Sequence, residues 1–176
     1  VKKLATEMQK LTNFDDEAIL GAENLLLTFT KIGKDIFPQA TETVLNMSAA
    51  LGQDLKSSSI QLGKALQDPI LGVTALRRVG VNFSEDQVNV IKSLVETGRA
   101  AEAQKMILTE LATEFGNSAR AQADPILQLK NSIGDAWETI GFLLIPTVDI
   151  LSVKIQTFAT EVLPVWIANT KIIIQY

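Results

Sequence analysis

Three consecutive carboxylates, Asp15-Asp16-Glu17, form a dense group of titratable side chains near the start of the chain. Such a set could hold a hard cation, or support acid/base chemistry if two of the acids faced each other. Adjacent residues on a helix point in different directions, however. Acids at a helix start also have a simpler use, which is to meet the positive end of the helix dipole. Capping and dipole compensation are therefore the expected roles here, and the same reading covers Asp68, Glu85 and Asp86. The sequence contains no Cys and no His. Disulfides, thiolate nucleophiles and cysteine metal sites are excluded, as are the commonest general base and metal ligand. No catalytic, cofactor-binding or metal-binding residue is predicted, and no enzymatic activity.

Arg77-Arg78 and the Gly-Val-Asn-Phe turn that follows could be read as part of a helix-turn-helix, with the arginines clamping a DNA backbone. The second helix would then present Glu85, Asp86, Gln87, Asn89, Lys92 and Glu96, an acidic-leaning set poorly suited to base edges. The formal charge of −4, from sixteen basic and twenty acidic residues, likewise gives no electrostatic footprint for a phosphate backbone. An ordinary helical hairpin is expected, without sequence-specific nucleic-acid binding. Glycines are isolated, so no phosphate-cradling loop is present.

The elements that carry these residues read as helices almost throughout. Hydrophobic residues are 47% of the chain but aromatics only 6%, a Leu/Ile/Val/Ala bias that favours helix-on-helix packing. A short amphipathic stretch over 1–11 (Leu4, Met8, Leu11) precedes a helix expected from the acids through Leu25, Leu26, Phe29, Ile32 and Ile36. Pro38 belongs in the first turn of the next helix, which Gly52 ends. A further helix leads to Asp68-Pro69, an N-cap followed by a proline at the first helical position. Gly80 closes the short helix after it in a left-handed cap. Ser84 and Gln87 have capping-box spacing and open a helix ended by Gly98. Another helix runs from about Ala100 to Phe115, and Gly116 ends it.

After Gly116 the character changes. Residues 117–124 are small and polar, and Asp124-Pro125 opens an apolar segment with Ile126, Leu129, Ile133, Trp137, Ile140 and Leu144 at helical spacing. The run from Ile140 to Val153 is too short for a membrane span and contains Pro146 and Asp149. A buried or interfacial helix, kinked at Pro146 and Pro164, is expected. Trp137 and Trp166 suit packing in a core or between subunits, with a membrane-interface anchor as the alternative. The reading is thus all-α: a compact bundle of short helices over 1–116, then an apolar helical extension over 117–176. Val1 and the apolar Ile172-Ile173-Ile174 end resemble cut points, which predicts a piece of a longer polypeptide.

Residues 62–116 go beyond generic helix. Their elements are Gly63-Lys64-Ala65-Leu66, Asp68-Pro69, Gly72, Ala75-Leu76-Arg77, Gly80-Val81, Phe83-Ser84 and Gln87. They continue through Gly98, Glu102-Ala103-Gln104, Ile107-Leu108 and Phe115-Gly116. This block closely resembles one found in tail length tape measure proteins of long-tailed phages and prophages. Glu23 to Phe29, Ala49 to Leu55 and Leu129 to Pro146 also look like that family, so the resemblance covers about residues 14–146. Asn117 stands where the family often has a second glycine, and Asn tolerates the left-handed conformation needed there.

The resemblance implies a structural role. Tape measure proteins are long helical polypeptides, present in a few copies inside the tail tube, whose length sets the number of tube rings. Assembly chaperones cover them before the tube polymerises, and at infection they leave the tube and help DNA across the host envelope. The implied partners are other copies of the chain, tail tube, tail tip and tail assembly chaperone proteins, and the host membrane. The implied location is the tail lumen or tip of the virion, then the host envelope. A membrane-active module, with residues 125–176 inserting after ejection, is the second reading. A peptidoglycan-cleaving enzyme, as some members carry in separate domains, is a remote third.

Overall fold

A computed structural model describes residues 2–164, apart from the side chains of 147–149, 151 and 152. Trp166 and the Ile172–Ile174 run lie outside the described residues. Among the described residues the chain is all-helical, with no strand. The helices are α1 (Lys2–Gln9), α2 (Asp16–Leu27), α3 (Phe37–Leu51), α4 (Leu55–Gln67), α5 (Pro69–Arg77), α6 (Glu85–Glu96), α7 (Ala100–Phe115), α8 (Ser118–Ala121) and α9 (Pro125–Thr157). One π-turn, Phe158–Val162, follows α9. It sits just before Pro164, whose missing N–H and bulky ring disturb the α-helical ladder there.

The chain divides into two compact units, Val1–Leu129 and Lys130–Tyr176. In the first, α3 is the central rod. Val44, Leu45 and Met47 are fully buried, as are the polar Thr41 and Ser48 on the same helix. It is packed on by α2, α4, α7 and α8. Leu26, Leu62, Leu66, Leu76, Ile91, Ile107 and Leu111 complete a continuous aliphatic core. Burial of such side chains contributes roughly 1.5–3 kcal/mol each.

Local signals explain most boundaries. Asp68 Oδ1 accepts from the Leu71 N–H at 3.2 Å, and Pro69 occupies the first turn of α5. The Ser84 hydroxyl and the Gln87 side chain each bond the other's backbone N–H, a complete capping box at α6. Gly80 takes φ 99°, and the Val81 N–H then reaches back to the Leu76 carbonyl at 3.2 Å. This turn aims Val81 and Phe83, both buried, back into the core. Asn117, not Gly116, adopts the left-handed conformation between α7 and α8 (φ 64°).

Two expectations need correction. The helix expected to run on to Ile36 stops at Leu27. The Thr28 hydroxyl bonds the Leu25 carbonyl at 2.7 Å, and tighter turns follow, from Phe29 N–H to Leu26 and Ile32 N–H to Phe29. Pro38 also resists a helix continuing from α2, because its ring would meet the carbonyl of residue 34. The second correction concerns Asp15. It stands at the N-cap of α2 but its carboxylate makes no capping bond; it accepts instead from Gln9 Nε2 at 3.1 Å.

Two glycines of the motif block are explained by close approach. A Cβ on Gly72 would lie 2.5 Å from the Cα and carbonyl oxygen of Ala65, so α5 and α4 touch backbone to backbone there. A Cβ on Gly63 would lie 2.1 Å from the Phe29 ring, which rests on α4 at that point. Gly72→Ala should therefore destabilise the chain by about 1–3 kcal/mol, the usual range for overpacking, with Gly63→Ala costing less where the ring can rotate aside. Gly21→Ala, with open space at its Cβ, should be neutral or stabilising by up to about 1 kcal/mol. Thermal unfolding of the three variants checks this ordering.

Candidate functional site

The segment singled out by its residues, 62–116, comprises most of α4 together with α5, α6 and α7. Its polar side chains make bonds that cross the bundle. Gln104, on α7, is 1% exposed. Its Nε2 donates to the Lys31 carbonyl at 2.9 Å and to the Leu66 carbonyl at 2.8 Å. Both acceptors are carbonyls, which fixes the orientation of the amide. The Lys31 N–H in turn donates to Gln67 Oε1 at 3.1 Å. The peptide at Lys31 is thus held from both sides, by α4 and by α7.

The same pattern recurs around the turn between α5 and α6. Arg77 donates from Nη2 to the Phe83 carbonyl, and the Asn82 N–H donates to Glu114 Oε1 at 2.6 Å. Gln87 Nε2 donates to Glu110 Oε2, tying α6 to α7. Arg77 and Gln87 were the residues a DNA-reading hairpin would have needed; here they hold the hairpin itself. On the outer face of α6, Lys92 pairs with Glu96 at 3.9 Å, and Glu85, Asp86 and Asn89 are exposed.

The acidic group Asp15-Asp16-Glu17 has one ligand oxygen per residue within 4.8 Å of the others. Asp16 and Glu17 fall in the first turn of α2. The hydrogen bond that Glu17 shares with Asp15 is the largest cause of its high proton affinity, and its carboxyl is pushed up to about 7. The three acids stand at a helix start, and a solvated first turn accounts for their placement.

Polar side chains also seat the chain before α9. Asn46, buried in α3, accepts the Ala119 N–H at 3.1 Å. Asn13 donates to the Gln122 carbonyl and accepts from the Asp124 N–H, both at 2.6 Å. Asp124 caps α9 through the Ile126 N–H at 2.8 Å. In α9 itself, Ile126, Trp137, Phe142 and Leu143 are 78%, 68%, 63% and 72% exposed. Ile140, Leu144 and Ile145 are exposed as well. Apolar side chains therefore face solvent all round the helix between Ile140 and Ile145. No helix among the described residues is long and apolar enough to cross a membrane. Compared with known proteins, the chain matches no protein family, no curated protein and no solved structure.

Sequence periodicity missed Gln104, Asn46 and Asn13, because it searches for apolar stripes and each of these is a polar residue. Gln104 was visible only as part of the Glu102-Ala103-Gln104 motif.

Gln104→Leu should cost about 2–4 kcal/mol, because it strands the buried Leu66 carbonyl, at roughly 1–3 kcal/mol, and removes the half-buried Lys31 bond, at roughly 0.5–1.5 kcal/mol. Urea unfolding measures this. A second outcome concerns pH. A carboxyl raised to about 7 in the folded state favours folding at low pH, and that contribution fades as pH rises through about 7. Asp15→Asn removes the largest cause, and NMR titration should then show Glu17 falling toward the ordinary carboxylate range.

Proposed function

We propose that this chain is a folded, non-enzymatic module of a tail tape measure protein from a long-tailed phage or prophage. It takes part in tail assembly and length determination and, after ejection, in genome delivery across the host envelope. One observation carries the reading. The distinctive positions of the resembling block, Gly63, Asp68-Pro69, Gly72, Gly80-Val81, Ser84, Gln87 and Gln104, are each used in caps, close helix contacts or cross-bundle bonds. A motif spent on holding helices together fits a building block better than a catalyst. The absence of His and Cys from the sequence fits the same role.

In this reading the bundle is a module attached to the tape, and the proline-kinked apolar segment from Pro125 onward meets other copies of the chain. An isolated helix that is apolar all round is unstable in water and calls for burial on several sides. Tail tube, tip and chaperone proteins are the other partners. The exposed Trp137, Phe142 and Leu143 favour one further reading, a membrane-active segment that works after ejection. Leakage of lipid vesicles on addition of the chain supports it, and no binding to vesicles of any composition excludes it.

Mass spectrometry of purified tails from a phage or induced prophage encoding this sequence tests the main reading. Peptides of the chain should co-purify with assembled tails, and their absence from such particles would refute the assignment. Native mass spectrometry of the chain should show a defined oligomer that dissociates on Phe142→Ser with Leu144→Ser. A monomer at all concentrations contradicts the self-association.

A further inference from the structure

Glu23 lies on the inward face of α2 with Ile19, Ala22 and Leu26, and all four are buried. Its exposure is 0%, and neither carboxylate oxygen has a hydrogen-bond partner. A buried polar group without partners is rare, and a buried ionised carboxylate without partners is far more costly than a neutral one. Burial pushes the Glu23 carboxyl above the usual carboxylate range, against the opposing pull of the amino-terminal charge.

The helices packed on α2 are α1, α3 and α4. Their charged groups are Lys2, Lys3 and Glu7 on α1, Glu42 on α3, and Lys56 and Lys64 on α4. All are exposed except Glu42, which is half-buried and paired with Arg120 at 3.2 Å. None bonds Glu23, and the one charge that favours its ionised form, the amino terminus, acts more weakly than burial opposes it. When it ionises, it must reach water.

The three helices differ greatly in how firmly they are held. α3 and α4 supply much of the core, including Val44, Leu45, Leu62 and Leu66. α1 has eight residues, of which only Ala5 and Gln9 are buried, and it packs chiefly on α2. A helix of that length is not stable by itself. Lifting it takes only Ala5 and the half-buried Leu4 and Met8 off the core, whereas moving α3 or α4 dismantles it. We propose that α1 is a hinged cover on α2, closed while the Glu23 carboxyl is protonated and opened by its ionisation.

Hydrogen exchange of the full chain across about pH 5 to 9 tests the device, with the intrinsic pH dependence of exchange divided out. The opening constant of the α1 amides should rise about tenfold per pH unit above the titration point of Glu23, while α4 and α7 amides stay protected. Glu23→Gln keeps the shape without the charge, and its α1 opening should not vary with pH. An equal slope in Glu23→Gln, or loss of α1 and α4 protection together, overturns the proposal. So does a Glu23 carboxyl, followed by carbon-13 NMR in the unmodified chain, that titrates in the ordinary carboxylate range with α1 still protected.

Discussion

The buried amide of Gln104 joins three parts of the chain that are far apart in sequence. Its two donors satisfy the Lys31 carbonyl, in the irregular link after α2, and the Leu66 carbonyl near the end of α4. Both are groups that regular structure leaves unsatisfied: a loop peptide and one of the last carbonyls of a helix. The buried Leu66 carbonyl needs a partner once α7 covers it, because an unpaired buried carbonyl costs more than a made bond returns. Apolar packing supplies most of the stability of such a bundle but is non-directional. The Gln104 bonds select one register of α7 against α4, and the linker from α2 to α3 is shaped by that choice.

Similar devices act around it. Asn46 sets α8 on α3, Asn13 fastens the peptide before α9 to the link between α1 and α2, and Glu114 holds the turn after α5. Close backbone contacts add to these. The α4–α5 pair approaches at Gly72 until no Cβ fits, and the Phe29 ring lies on Gly63. Among the described residues of Val1–Leu129, Glu23 is the exception among the buried polar side chains, since its oxygens bond nothing. The bundle thus specifies its fold with polar pins in an aliphatic core.

Helix existence was legible because the stops and starts are chemical. Asp68-Pro69, Ser84 with Gln87, and Gly80 each act through one residue and its nearest neighbours, so local reading suffices. The end of α2 was not legible, because Leu25, Leu26, Phe29, Ile32 and Ile36 keep a helical period through residues that the structure places in turns. There, tertiary bonds to Gln67 and Gln104 override periodicity, and both partners lie more than thirty residues away. Asp15 was misread for a related reason: its capping position was visible, but its competing partner Gln9 was not. The apolar character of α9 was plain in the residues.

Gln104 thus converts a run of amphipathic helices into a specific fold. The most direct measurement is the exchange of its side-chain amide protons with solvent, read by NMR against the global unfolding of the chain. Both protons should exchange only through global opening, at the rate of the slowest α4 and α7 amides. Exchange of either proton at a rate typical of exposed glutamine would contradict the account.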